Sequence, residues 1–184
     1  MNRELNSQIV NTINHTILPI KLKLKTNIIP KSLWEDDYVF GFFAVFIATN
    51  ISIAYATIGK LSDFNEVLFT IMKQVDPNNY EFFLSKMSYL ANQKDGEYIR
   101  GGDDAEKVLY LYHNENKSLF PNVDENDELI LNAKSNHGEI RNLTELVNKE
   151  TKDMNITDSQ YSSFALFGGT LLVYIERNIH LFLD

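Results

Sequence analysis

Between Asp37 and Lys60 the chain runs through 22 residues, Tyr38 to Gly59, without a single charge. No other stretch restricts the fold so strongly. A helix this long and apolar either crosses a bilayer or forms the centre of a packed helical domain. Its borders read as helix ends. Ser32 and Glu35 have capping-box spacing, Glu35, Asp36 and Asp37 crowd the first turn where the helix dipole favours anions, and Gly59 suits a C-terminal cap. The implied helix covers about residues 33–58. On a helical wheel Gly41, Ala44, Ala48, Ser52, Ala56 and Gly59 form a stripe of small residues, with Phe42, Phe43, Phe46 and Ile47 around the remainder. Such a stripe lets a second helix approach closely.

Three features favour a protein core over lipid. The three acids at the border have no neighbouring Lys or Arg, Asn50 would need a polar partner in a bilayer, and several other segments carry apolar faces that must be covered. A membrane-associated chain spanning 38–59 stands as an alternative.

Those other segments follow helical periodicity. Leu5, Ile9, Ile13 and Ile17 mark a helix over 3–17, which Pro19 is expected to end. "IKLKLK" then alternates apolar and basic residues, which predicts a short extended segment at 20–25 with its lysines outward. Phe64 to Val75 and Tyr80 to Ala91 read as two helices, the first capped by Ser62, with Asp76-Pro77 breaking the chain between them. Further helices are expected from Asp103 or Asp104, over a short piece at Leu129 to Ala133, and around Ile140 to Val147. The last is capped by Thr157 with Gln160; Tyr161, Phe164, Gly168, Leu172, Ile175 and Phe182 fall on its buried face. Its glycine pair, Gly168-Gly169, is expected to receive a close neighbour such as the small stripe. The expected fold is all-α: a single domain over 1–184, a bundle of about six to seven helices around the apolar helix near 33–58.

There is no cysteine, so disulfides, thiolate metal sites and cysteine nucleophiles are excluded. The first residues lack the apolar core of a secretory signal, which points to a cytoplasmic protein. Asn, Ile and Lys make up 50 of the 184 residues. Their codons are rich in A and T, which points to a low-GC bacterium or phage. The five Asn-x-Ser/Thr sequons read as chance in an Asn-rich chain.

The net charge of −8 is concentrated. Residues 1–34 hold five basic residues and one acid; residues 95–128 hold ten acids and three basic residues. Such asymmetry speaks of partners rather than of fold. Asp103, Asp104 and Glu106 lead into a helix presenting Tyr110, Tyr112 and His113. Asp124, Glu125, Asp127 and Glu128 follow. Together they make a candidate docking surface for a basic protein, with acids to steer the encounter and tyrosines as anchors.

Other chemistry is less well supported. Gly101-Gly102 precedes two acids and lacks a phosphate-loop pattern, so a turn is expected there. Glu176 and His180 are one helical turn apart, yet no second Glu-x-x-His completes a metal site. "DENDELILNAKS" lacks the glycine and final glutamate of a calcium loop. No nucleophile motif is present, and the acidic excess opposes nucleic acid. The sequence therefore points to a non-enzymatic acidic binding protein without a cofactor, of bacterial immunity, antitoxin or adaptor type, that covers a basic partner such as a nuclease toxin. The alternative is a helical enzyme or small-ligand binder with a pocket beside Asn50 and Thr57.

Overall fold

The computed structural model describes residues 3–56, 63–90, 96–147 and 155–183. All of the regular structure among them is helical. In chain order the helices are α1 (Arg3–Leu24), α2 (Lys31–Glu35), α3 (Asp37–Ala56), α4 (Phe64–Val75), α5 (Tyr80–Leu90), α6 (Gly96–Tyr112), α7 (Glu128–Val147) and α8 (Asp158–Phe167). A π-helical stretch, Gly168–Leu172, joins α8 to α9 (Val173–Arg177), and a 3₁₀ turn, Ile179–Leu181, follows. The chain groups into two compact units. Unit 1 is Met1–Gly102 with Tyr174–Asp184, and unit 2 is Asp103–Val173.

The apolar helix is the core of unit 1, as expected. Phe40, Phe42, Phe43 and Ile47 on α3 are fully enclosed, which is how a helix apolar on all sides is stabilised in water. By length and composition α3 could also cross a bilayer, but 56% of its apolar window is buried within the chain itself. Its start differs from expectation. Ser32 caps nothing: α2 begins after Pro30, and the Ser32 hydroxyl is buried without a partner. Asp36 is extended and separates α2 from α3, and its carboxylate accepts from the Val39 N–H at 2.9 Å. Lys86 fills the break. Its ammonium donates to the carbonyls of Trp34 and Glu35 and lies 2.7 Å from the Asp37 carboxylate. One cation thus satisfies the carbonyls that α2 leaves open at its C-terminus. Below it the buried Trp34 meets Phe43 and Phe83 edge-on and donates to the buried Asp76 at 2.7 Å. Asp76 is the cap after α4, so the Asp76-Pro77 break also ties two helices together. Asp63 caps the start of α4; the expected caps Ser62 and Gly59 lie outside the described residues.

Pro19 does not end α1, and no strand forms at 20–25. Ile13, Ile17, Ile20 and Leu24 are buried at spacings of four, three and four. That continuous stripe outweighs the backbone hydrogen bond that proline cannot donate. Leu22, which an alternating strand would put beside Ile20 and Leu24, is 69% exposed. The helix ends at Lys25, whose φ is 54°, with Thr26 N–H on the Lys21 carbonyl and Lys25 N–H on the Leu22 carbonyl. This is a Schellman motif built without glycine.

The glycine pair at 101–102 is not a turn either. It lies inside α6, where α6 crosses α3. A Cβ at Gly41 would overlap the Tyr98 carbonyl, and one at Gly101 would overlap the Tyr38 carbonyl and sit 2.8 Å from the Phe42 nitrogen. The backbones touch, and each glycine is required by the other helix. The small stripe of α3 thus does take a close neighbour, but that neighbour is α6. A Cβ at Gly168 or Gly169 would meet nothing within 4 Å. Around the crossing the Arg100 guanidinium lies 4.7 Å from the centre of the Tyr38 ring and 5.7 Å from that of Tyr174, whose hydroxyl donates to Asp36 at 2.8 Å. Burial and the Asp36 charge hold the Tyr174 hydroxyl far above its ordinary pKa.

In unit 2, α7 is one continuous helix where two were expected, and it packs chiefly on α8. The Thr157–Gln160 capping box is present. On α8, Ser159 and Ser163 donate to the Leu111 and Val108 carbonyls of α6, both at 2.7 Å. Phe164, expected inside, is exposed, and Leu171 rather than Leu172 is fully buried. The step from Leu166 to Leu171 is five residues, which the wider π winding accommodates.

Gly41→Ala and Gly101→Ala should each cost more than about 3 kcal/mol in denaturant unfolding, because main chain would have to move. Gly138→Ala, in open space on α7, should instead raise stability by about 0.5–1 kcal/mol. Lys25→Gly should add up to about 1 kcal/mol by relieving the left-handed backbone.

Candidate functional site

The ten candidate residues of the acidic window fall on the second half of α6, the 113–127 loop and the start of α7. α6 ends in a second Schellman motif. Glu115 N–H reaches the Tyr110 carbonyl, Asn114 N–H reaches that of Leu111, and both residues have positive φ. The loop then folds back over α6. Phe120 and Val123 are buried, the Phe120 ring meets Tyr110 edge-on, and His113 lies nearly parallel to Phe120 with centroids 6.0 Å apart.

Three lysines, which sequence reasoning did not single out, consume part of the acidity. Lys107 is 2.8 Å from Asp127 and 3.8 Å from Asp104. Lys117 donates to the Val123 carbonyl, is 3.5 Å from Glu125 and lies over the Tyr110 ring. Lys134 is 2.6 Å from Glu115. The three-residue step from Asp104 to Lys107 was visible in the sequence as a helical ion pair; the Lys107–Asp127 contact, twenty residues apart, was not.

The ten candidate residues therefore separate into two groups. Asp104 and Tyr110 are buried and act inside unit 2. Asp127 starts α7 by accepting from the Leu129 N–H. Burial raises the Asp127 carboxyl, but the Lys107 hydrogen bond and the backbone N–H groups of Leu129 and Ile130 outweigh it and leave the carboxyl below its ordinary range. His113 is half-buried and its Nε2 has no partner; burial pushes the imidazole below the ordinary histidine value of 6.5. Glu106 is half-buried, its carboxyl raised by burial and by the Asp103 charge. The second group, Asp103, Tyr112, Asp124, Glu125 and Glu128, remains exposed, with Leu129 and Leu131 beside Glu128 in the chain also outward.

Among the described residues no group of three or more His, Asp or Glu could hold a metal. Glu176 pairs with Lys23 at 2.7 Å, and His180 lies in the 3₁₀ turn, so their helical spacing is lost. The Asn50 amide donates to the Phe46 carbonyl in its own helix, and Thr57 lies outside the described residues. A cleft that sequence reasoning missed, of about 460 Å³, lies in unit 1 and is lined by Lys25, Ile28, Lys31, Asn78 and Leu183 among others.

No protein-family model matches the chain, and neither a curated protein nor a solved structure does.

His113 should make unit 2 acid-sensitive. Its folded pKa lies below its unfolded value, so the unfolded chain takes up the proton first and stability falls as pH drops below about 6.5. Unfolding free energy measured between pH 7 and 5 should fall less steeply for His113→Gln than for the unaltered protein.

Proposed function

We propose that the chain is a non-enzymatic acidic binding protein of the immunity, antitoxin or adaptor kind, and that unit 2 takes a basic protein partner such as a nuclease toxin. One observation carries this reading. Residues 103–173 hold thirteen acids and six basic residues, a net −7 of the total −8. Asp103, Asp124 and Glu128 face solvent outside the internal lysine pairs, and Glu125, paired with Lys117, is exposed as well. Tyr112 adds an exposed aromatic ring on the same segment. Charges of this kind act at the rim. They accelerate encounter and select the sign of the partner, while affinity comes from apolar and aromatic anchors. The same charge disfavours nucleic acid, whose phosphates it would repel.

Kinetic binding measurements with candidate basic partners, starting with products encoded beside this gene, test the reading. Association should slow by about tenfold between 50 and 500 mM salt. The combined variant Asp124→Asn, Glu125→Gln, Glu128→Gln should slow it to a similar extent at low salt, with dissociation little changed. Binding that ignores both salt and these substitutions would refute the electrostatic reading.

A further inference from the structure

The 113–127 loop is built from turns and irregular backbone, and it carries Asp124 and Glu125 of the acidic surface. Both of its ends are fixed. Asn114 accepts from the Thr157 hydroxyl of α8 at 2.6 Å, and Asp127 meets Lys107 and starts α7. Between them, residues 116–126 are held on α6 chiefly by the buried Phe120 and Val123, because the exposed Lys117–Glu125 pair adds little. Phe120 rests on the His113 ring, their planes 28° apart. The His113 Nε2 is shut off from water and has no hydrogen-bond partner among the described residues. A neutral imidazole can leave a bare lone pair there. An imidazolium carries hydrogen on both ring nitrogens, so protonation puts an unpaired N–H and a charge against Phe120. The charged groups of the surrounding elements engage one another instead. Glu115 meets Lys134 of α7, Lys117 meets Glu125 in the loop, Lys107 of α6 meets Asp127, and Asp158 of α8 meets Arg141. His137 of α7 lies against the Lys134 carbonyl and Asp158, and Tyr112, edge-on to the imidazole, is its titratable neighbour on α6. Burial alone displaces the imidazole from its ordinary value.

We propose that His113 is the latch of this loop: its protonation releases residues 116–126 from α6 and takes Asp124 and Glu125 out of the docking surface, so that a basic partner held at neutral pH is let go in acid. Release of the partner rests on the binding role proposed above; opening of the loop does not. The rest of unit 2 has separate supports. Ser159 and Ser163 hold α8 on the Leu111 and Val108 carbonyls of α6, and α7 packs on α8. None of these contacts passes through the loop. The sign follows from linkage. With the loop closed the imidazole titrates below 6.5, and with the loop open it returns to that value. The closed loop therefore has its full stability above pH 6.5. Below it the closed-to-open ratio falls by up to about tenfold per pH unit, one proton being taken up, until the closed-loop value is passed. The Asp127 carboxyl, held below its ordinary range, keeps its charge through this window, so the α7 end of the loop stays fixed.

Hydrogen exchange of the full chain tests the latch, read by mass spectrometry at pH 7.5 and 5.5 and corrected for the intrinsic pH dependence of exchange. Protection of residues 116–126 should fall by up to about tenfold at pH 5.5, while that of residues 128–143 on α7 holds. His113→Phe keeps a ring against Phe120 and has no proton to take up, so its loop should stay protected at both pH values. His113→Gln should likewise lose the pH response. Phe120→Ala should lower loop protection at least tenfold already at pH 7.5 and, by opening His113 to water, remove most of the pH dependence. Circular dichroism establishes that the variants are folded. Equal loop protection at both pH values in the unaltered chain, an undiminished pH response in both His113 variants, or a loss of protection shared equally by α7 overturns the latch. None of these measurements needs a partner, so failure of the latch is read apart from failure of the docking surface, which the salt dependence of association decides.

Discussion

The crossing of α3 and α6 at Gly41 and Gly101 constrains more of the molecule than any single bond. Where two backbones touch, nothing can be inserted, so the contact is specified by what is missing rather than by an attraction. The attraction comes from what surrounds it. Phe40 and Tyr98 stack with centroids 6.1 Å apart, and the Arg100 guanidinium covers Tyr38 and Tyr174. Because α6 then runs on from Gly102 into Asp103 and Asp104, the same helix that closes the core of unit 1 opens the acidic segment of unit 2.

A second dependence runs through buried polar groups. Asp76 is 3% exposed, and it is tolerated because it accepts from the Trp34 indole, the Asn79 amide and the backbone N–H groups of Asn78 and Asn79. A buried carboxylate with that many donors locks the α2, α4 and α5 ends into one geometry. Asn6 is less fully served. Tyr55 donates to its oxygen at 2.7 Å, while its amide nitrogen has no partner. Asn6 and Tyr55 thus join α1 to α3 at a cost that apolar residues of the same shape would avoid.

Much of this fold could be read from residue patterns. The apolar helix, the Asp76-Pro77 break, the Thr157 capping box and the all-helical class all follow from local rules. The departures share a cause: tertiary packing overrode a local signal. Pro19 breaks a helix only where nothing compensates, and the buried Ile17, Ile20 and Leu24 compensate here. Gly101-Gly102 reads as a turn because glycine's local role is conformational, but its role here is to leave room for Tyr38 and Phe42 of another helix. Ser32 and Glu35 have the spacing of a cap, and Asp36 took the task instead. The acidic window was legible as charge, but not as surface. Which acids face water depended on Lys107 meeting Asp127 across the loop, and helical spacing does not reveal that.

The π stretch at Gly168–Leu172 places one residue more in its turn than an α-helix holds. Leu166 and Leu171, five residues apart, thereby both fall on the buried face within unit 2. Removing one residue at Gly169 would convert the stretch to a regular α-helix and leave Leu171 four residues from Leu166, still on the buried face. The wide turn thus absorbs a residue of chain length, and length at this point is freer than residue identity is at Gly41.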